Sequence, residues 1–203
     1  MNHRLIESKI GHLRTPFTIK VDKTSQTHLL NNGRFGFFIE KQFGISPNCD
    51  KTPDFGHTEL KTIQYGNRMT IGNMTDREYN KITGAERNYF STSAPYNKVK
   101  NTLLVVYEKL KKYPEPEYII RNWTMFNLDE LSSQDKIILQ EDYEFICNYI
   151  KKYSNSRDDL TDLIQSDGSI SGDYLALAYK GSYGYNYPAW GFHSRFMKKL
   201  SNA

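Results

Sequence analysis

The segment Pro53-Asp54-Phe55-Gly56-His57-Thr58-Glu59-Leu60-Lys61 brings two carboxylates and an ammonium together in a D-x4-E-x-K pattern. On a strand, residues two apart share a face, so Glu59 and Lys61 project together. A turn at Gly56 folds Asp54 back beside them. Hard divalent cations such as magnesium take oxygen ligands, commonly one or two carboxylates with waters and a substrate phosphate. Asp54 and Glu59 supply the acids, and the backbone carbonyl of Leu60 is a natural third oxygen. A cation held there would stabilise charge on a phosphodiester and lower the pKa of a bound water. Lys61 would orient that water or balance the developing negative charge. The candidate chemistry is metal-assisted phosphodiester hydrolysis, with magnesium as the metal and manganese able to substitute. Glu40, upstream, could join as an outer ligand or a water-positioning base. The same residue types also meet by chance at solvated strand edges, so the surrounding elements carry much of the argument.

Those elements can be read from periodicity. Gly33-Arg34-Phe35-Gly36 reads as a break, after which Phe37, Phe38, Ile39, Phe43 and Ile45 recur at helical offsets and place Glu40 on a short helix. Ser46-Pro47-Asn48 ends it, and the stretch to Gly56 has loop and turn chemistry. Thr58 to Ile63 alternates polar and apolar like a half-buried strand, with Arg68 to Asn73 as its expected hairpin partner. Residues 76–97 read as polar and turn-rich, with Ser91 to Pro95 an exposed loop. Thr102 to Tyr107 is an apolar run suited to a buried central strand, and Ile119, Ile120, Trp123 and Phe126 suggest another. Ser132 or Ser133 caps a long helix through Tyr153, since Ile137, Ile138, Tyr143, Ile146, Cys147 and Ile150 recur at three- and four-residue steps. Near the start, Leu5, Ile6 and Ile10 suit a short helix. Asp167-Gly168 marks a turn.

The chain has 203 residues, a net charge of +4 and 14% aromatic residues. That length suits one α/β domain with an ordinary core. Two cysteines, Cys49 and Cys147, define no disulfide framework and carry no zinc spacing, so both read as structural. With no apolar leader and no apolar run of roughly 20 residues, an intracellular, cytoplasmic protein is expected, without a membrane partner. The charge is unevenly distributed. From Ser171 to Ala203, the cations Lys180, Arg195, Lys198 and Lys199 face the single acid Asp173, beside eight of the chain's 28 aromatic residues. Lys180 suits guanine O6 or N7 in a major groove, whereas Arg195, Lys198 and Lys199 suit phosphates. Tyrosines 179, 183, 185 and 187 offer hydroxyls and flat faces, with packing as the commoner use of such residues. His193 could read a base or a phosphate, or simply lie at the surface.

Asp54 with Glu59-Leu60-Lys61-Thr62 resembles the PD-(D/E)XK nuclease core, specifically its MutH-type branch of mismatch-repair and GATC-cutting type II restriction endonucleases. Gly36-Phe37-Phe38-Ile39-Glu40-Lys41-Gln42-Phe43-Gly44 is similar to that family's acid-bearing helix, which implies Glu40 as its upstream acid. Leu139-Gln140-Glu141-Asp142-Tyr143-Glu144 resembles a helix start of the family. Gly172-Asp173-Tyr174-Leu175 with Lys180 resembles its sequence-reading segment, and Gly191-Phe192-His193-Ser194-Arg195 its C-terminal element. The ordered set covers about Gly33 to Leu200. The family's second lysine falls on Lys98, with Lys100 as its rival one alignment slip away, and Asp50 is the alternative to Asp54.

The resemblance implies a restriction-endonuclease-like α/β fold, a mixed central sheet flanked by helices, carrying a C-terminal DNA-reading subdomain. Within one domain, residues 1–32 would be an extension, 33–126 the catalytic core and 127–203 the long helix with the recognition segment. It further implies a magnesium-dependent, sequence-specific endonuclease acting on double-stranded DNA, with Asp54, Glu59, Lys61, Glu40 and Lys98 at the cut. Tyr179-Lys180-Gly181-Ser182 looks closer to the restriction-enzyme version, so a type II enzyme partnered in function by a cognate DNA methyltransferase is the first expectation. A palindromic site would be matched by a dimer on DNA. A strand-nicking repair enzyme and a non-catalytic DNA-binding module of the same fold are the alternatives.

Overall fold

The computed structural model describes residues 3–19, 34–45, 53–111, 116–182 and 185–202. In chain order the elements are α1 (His3–Ile10), β1 (Phe17–Thr18), α2 (Arg34–Gln42), β2 (Glu59–Gln64), β3 (Met69–Asn73), α3 (Asp76–Gly84) and α4 (Ala94–Val99). There follow β4 (Asn101–Lys111), β5 (Glu117–Asn127), α5 (Ser133–Tyr153), α6 (Arg157–Asp167), β6 (Ser169–Ser171), β7 (Leu175–Ser182), β8 (Tyr185–Phe192) and α7 (Ser194–Asn202). They form two compact units, Met1–Asn67 with Asn101–Phe126, and Arg68–Lys100 with Asn127–Ala203.

The first unit holds a mixed four-stranded sheet of order β1-β5-β4-β2. Strand β2 runs parallel to β4, from Glu59 opposite Thr102 to Gln64 opposite Tyr107, and β1 is antiparallel to β5. Thr102 to Val106 are buried throughout, as a central strand requires. The core gathers Ile6 and Ile10 of α1, Phe35 and Ile39 of α2, Leu60, Leu103, Val105, Tyr118 and Ile120. Gly36 does not break the chain but lies inside α2, where a Cβ would stand 3.4 Å from Thr62 Oγ1. Its missing side chain lets the helix approach β2 closely.

The second unit holds an antiparallel sheet of order β3-β8-β7-β6. Helix α5 buries Tyr143, Ile146, Cys147 and Ile150 as expected, with Ser132 as its N-cap, but at its start Leu139 faces the core while Ile137 is exposed. The Cys147 thiol is pushed up to about 12 by burial, so it stays protonated and inert. Cys49 lies outside the described residues.

Two further expectations differ from the structure. Strand β3 exists but pairs with β8 rather than with β2, because Gly66, at φ 83, ends the strand in a turn that leads into the other unit. Residues 76–97 are largely helical, not loop. The Thr75 hydroxyl accepts the Glu78 N–H at 3.2 Å to open α3, and Ser93 accepts the Tyr96 N–H at 3.2 Å to open α4. Polar composition there marked caps and solvated helix faces rather than irregular chain. Among the described residues, no helix is long and apolar enough to cross a membrane.

Candidate active site

Helix α2 ends where the sequence supplies Gly44 at φ 75, with the Ile45 N–H reaching the Glu40 carbonyl and the Gly44 N–H the Lys41 carbonyl, both at 3.0 Å. This paired C-terminal cap leaves Glu40 half-buried on the last turn while Phe35 and Ile39 face the core. The Pro53–Thr58 turn closes through Phe55 N–H to Thr58 O at 3.0 Å, with Gly56 at φ 72. Phe55 meets Phe43 edge to face at 5.4 Å, tying the turn to the end of the helix.

The turn delivers Asp54 to the free edge of β2, where its Oδ2 accepts the Leu60 N–H at 2.8 Å. Alternation on the strand sends Leu60 into the core and puts Glu59 and Lys61 together on the other face, Lys61 Nζ standing 2.6 Å from Glu59 Oε1. Glu59 is only 5% exposed, so its charge is held out of bulk water and met by the ammonium. Burial raises the Glu40 carboxyl above the usual carboxylate range; Asp54 and, more weakly, Glu59 add to the rise while Lys61 opposes it. Three acids and one lysine therefore act on one another within the first unit.

Among the described residues, no group of three or more histidine, cysteine, aspartate or glutamate side chains is placed to form a metal cage. The donor set nonetheless fits magnesium, which keeps most of its waters and needs one or two carboxylates. Asp54 and Glu59, with the Leu60 carbonyl between them and Lys61 in sequence, are that kind of set.

The other expected residues lie in the second unit. Lys98 is on α4, and a Cβ at Gly72 would meet its Cδ at 3.5 Å. Its rival Lys100 forms an ion pair with Asp129 at 2.5 Å, and Asp129 also accepts the Tyr96 hydroxyl. Tyr179, Lys180, Gly181 and Ser182 occupy the far half of β7, with Lys180 opposite Tyr187 and Ser182 opposite Tyr185. Asp50, Tyr183 and Gly184 lie outside the described residues. His193 opens α7, its carbonyl accepting the Met197 N–H at 3.0 Å, and its buried Nε2 has no hydrogen-bond partner among the described residues. Arg195 is paired with Asp173 at 2.8 Å, and Lys199 with Asp135 at 2.5 Å, while Lys198 is exposed. Sequence reasoning passed over Arg68, whose guanidinium reaches the Tyr179 carbonyl at 3.5 Å from 111 positions away. No local pattern signals so distant a contact.

The family model of the DNA mismatch repair enzyme MutH matches residues 43–142. A solved structure, a restriction endonuclease MvaI-cognate DNA substrate complex, is similar over 98% of this chain and 97% of that chain, with a TM-score of 0.51 and 12% identity. Residues 43–142 are thus MutH-like, and the chain's fold is restriction-endonuclease-like. No curated protein matches it. The MutH-type segment contains Asp54, Glu59, Leu60, Lys61 and Lys98, whereas Glu40 precedes it and the Tyr179–Ser182 stretch follows. The likeness to the MvaI structure speaks for the fold, which here is mixed α/β.

Proposed function

We propose that the chain is a magnesium-dependent, sequence-specific DNA endonuclease, a type II restriction enzyme with a short site such as GATC. The observation that carries this reading is the docking of Asp54 onto the Leu60 N–H beside the Glu59–Lys61 pair. Support for DNA as the substrate comes from the MutH-type family and from the similar MvaI structure, itself a complex with cognate DNA.

Asp54, Glu59 and the Leu60 carbonyl would hold magnesium, which when bound polarises the scissile phosphate and activates water. The chain's own groups do the remaining work. The Lys61 ammonium, fixed against Glu59, balances negative charge developing at the phosphate. The Glu40 carboxylate, whose proton affinity is raised by burial and by Asp54, takes up the proton released beside it. Lys180 reads a base edge, with Tyr179, Gly181 and Ser182 shaping its strand. Lys198 and Arg195 meet phosphates, Arg195 exchanging Asp173 for the DNA.

Lys98 is assigned as the second catalytic lysine. Lys98→Ala should slow single-turnover cleavage by about 10²-fold, the scale of losing one charge-stabilising group. Lys100→Ala removes an exposed pair with Asp129, so it should leave the rate within a few-fold and the stability nearly unchanged. Equal losses in both variants would undo the assignment.

Sequencing the ends of plasmid DNA cut in magnesium tests the function. One recurrent short site with both strands cut is expected; random ends would contradict specificity. Single-strand nicks at one site would favour a repair-type nicking enzyme, the activity that the family match to a mismatch repair enzyme makes the second reading.

A further inference from the structure

Two buried carboxylates outside the catalytic centre stand seven residues apart on α5, and both point at one turn. Asp142, 7% exposed, accepts three backbone N–H groups: Asp173 at 2.9 Å on Oδ1, and Tyr174 at 2.6 Å and Leu175 at 2.9 Å on Oδ2. Asp135, 3% exposed, accepts the Tyr174 hydroxyl at 3.0 Å. The turn is built for the contact, since a Cβ on Gly172 would fall 1.9 Å from Asp142 Oδ1. Its own closing bond runs from the Gly172 N–H to the Leu175 carbonyl at 2.9 Å, and the His193 N–H holds the Tyr174 carbonyl at 2.8 Å. A buried carboxylate is costly to desolvate, and three peptide N–H donors aimed at it are a strong and directional return.

Leu175 is the first residue of β7, and the same strand carries Tyr179 to Ser182 at its other end. A strand slipped by one residue turns every side chain to the opposite face. We infer that Asp142, seconded by Asp135, is a positioning residue that pins the register of β7 and so decides which side chains of the recognition strand face the DNA. The inference rests on the proposed reading of β7 as the DNA-reading strand. Neither carboxylate need touch the nucleic acid.

The test compares wild type with Asp142→Asn and Tyr174→Phe. The first puts an amide NH2 where a carboxylate oxygen accepted a peptide N–H; the second removes only the bond to Asp135. The readout is the ratio of kcat/KM at the site found by end sequencing to that at sites altered by one base pair, with the saturating single-turnover rate measured alongside. Asp142→Asn should lower the ratio by at least about tenfold, the scale on which one base pair is discriminated, and Tyr174→Phe should lower it less. The saturating rate should change no more than a few-fold. Faster hydrogen exchange at the amides of residues 173–175, in a protein that still melts cooperatively, should accompany the loss. An unchanged ratio in folded Asp142→Asn overturns the proposal. If that variant does not fold, an unchanged ratio in Tyr174→Phe overturns it. Wild type lacking sequence preference in both cleavage and selection from random duplexes removes the reading of β7, and the pin with it. A preference in wild type that both variants keep removes the pin alone.

Discussion

Asp54→Asn is expected to cut DNA at least about 10² to 10³ times more slowly than wild type in magnesium while binding DNA as well or better. Asparagine keeps one of the two things that this aspartate does. Its Oδ1 can still accept the Leu60 N–H that Asp54 Oδ2 accepts at 2.8 Å, so the Pro53–Thr58 turn stays docked on β2. What disappears is the anionic oxygen needed for the cation. Asp54→Ala removes both, and should add a stability loss of about 1 kcal/mol, the net worth of one hydrogen bond. The difference between the two variants separates the ligand from the latch. Glu59→Gln should be as inactive, but it also strips Lys61 of its partner in a largely buried pair, so about 1 to 3 kcal/mol of stability goes with it. Single-turnover rates, DNA binding in calcium and urea melts measure these quantities separately. A nearly wild-type rate in Asp54→Asn would remove Asp54 from the site.

The second large effect concerns stability. Glu78, 9% exposed on α3, has its carboxyl raised to about 7 by burial, with the Trp190 indole, the Thr75 backbone and Lys81 offsetting part of the rise. Glu78 Oε1 and Trp190 Nε1 are both buried without a hydrogen bond of normal geometry among the described residues. A folded-state value above the unfolded one means that the native protein binds the proton more tightly. Stability from this group is therefore full at acid pH and is lost as pH rises from about 4.5 to 7. Glu78→Gln does not titrate. It should match wild type near pH 4.5 and exceed it by up to about 3 kcal/mol at pH 8, since each tenfold gain in proton affinity on folding is worth roughly 1.4 kcal/mol. Urea unfolding across that range measures the gap. A constant difference between the two proteins would show that folding does not raise the proton affinity of Glu78.

Much of the site was legible because its chemistry is local. Asp54, Glu59 and Lys61 lie within one turn and one strand, and strand alternation alone pairs the last two. Helix α5 was legible because its apolar residues recur from Tyr143 through Ile146 and Cys147 to Ile150 at helical steps and Ser132 caps it. What escaped depends on less regular signals or on long range. Thr75-Asp76-Arg77-Glu78 carries the spacing of a helix-capping box, but the polar residues around it read as loop. Strand β3 looked like the partner of β2 by proximity, and only the sheet shows that it pairs with β8, more than 100 positions on. The grip of Asp142 on residues 173–175 is equally remote: the aspartate stood inside a recognised motif, yet its role emerges only when the turn is folded against α5.

On the proposed reading, the Asp54–Glu59–Lys61 cluster is a magnesium-dependent cutting site for DNA. Supercoiled plasmid, methylated and unmethylated, incubated with the protein in magnesium, in EDTA, and in EDTA back-titrated with manganese tests it directly. Linear or nicked product is expected with either metal and none in EDTA. Product that persists in EDTA, or no product on either DNA with either metal, would contradict the claim.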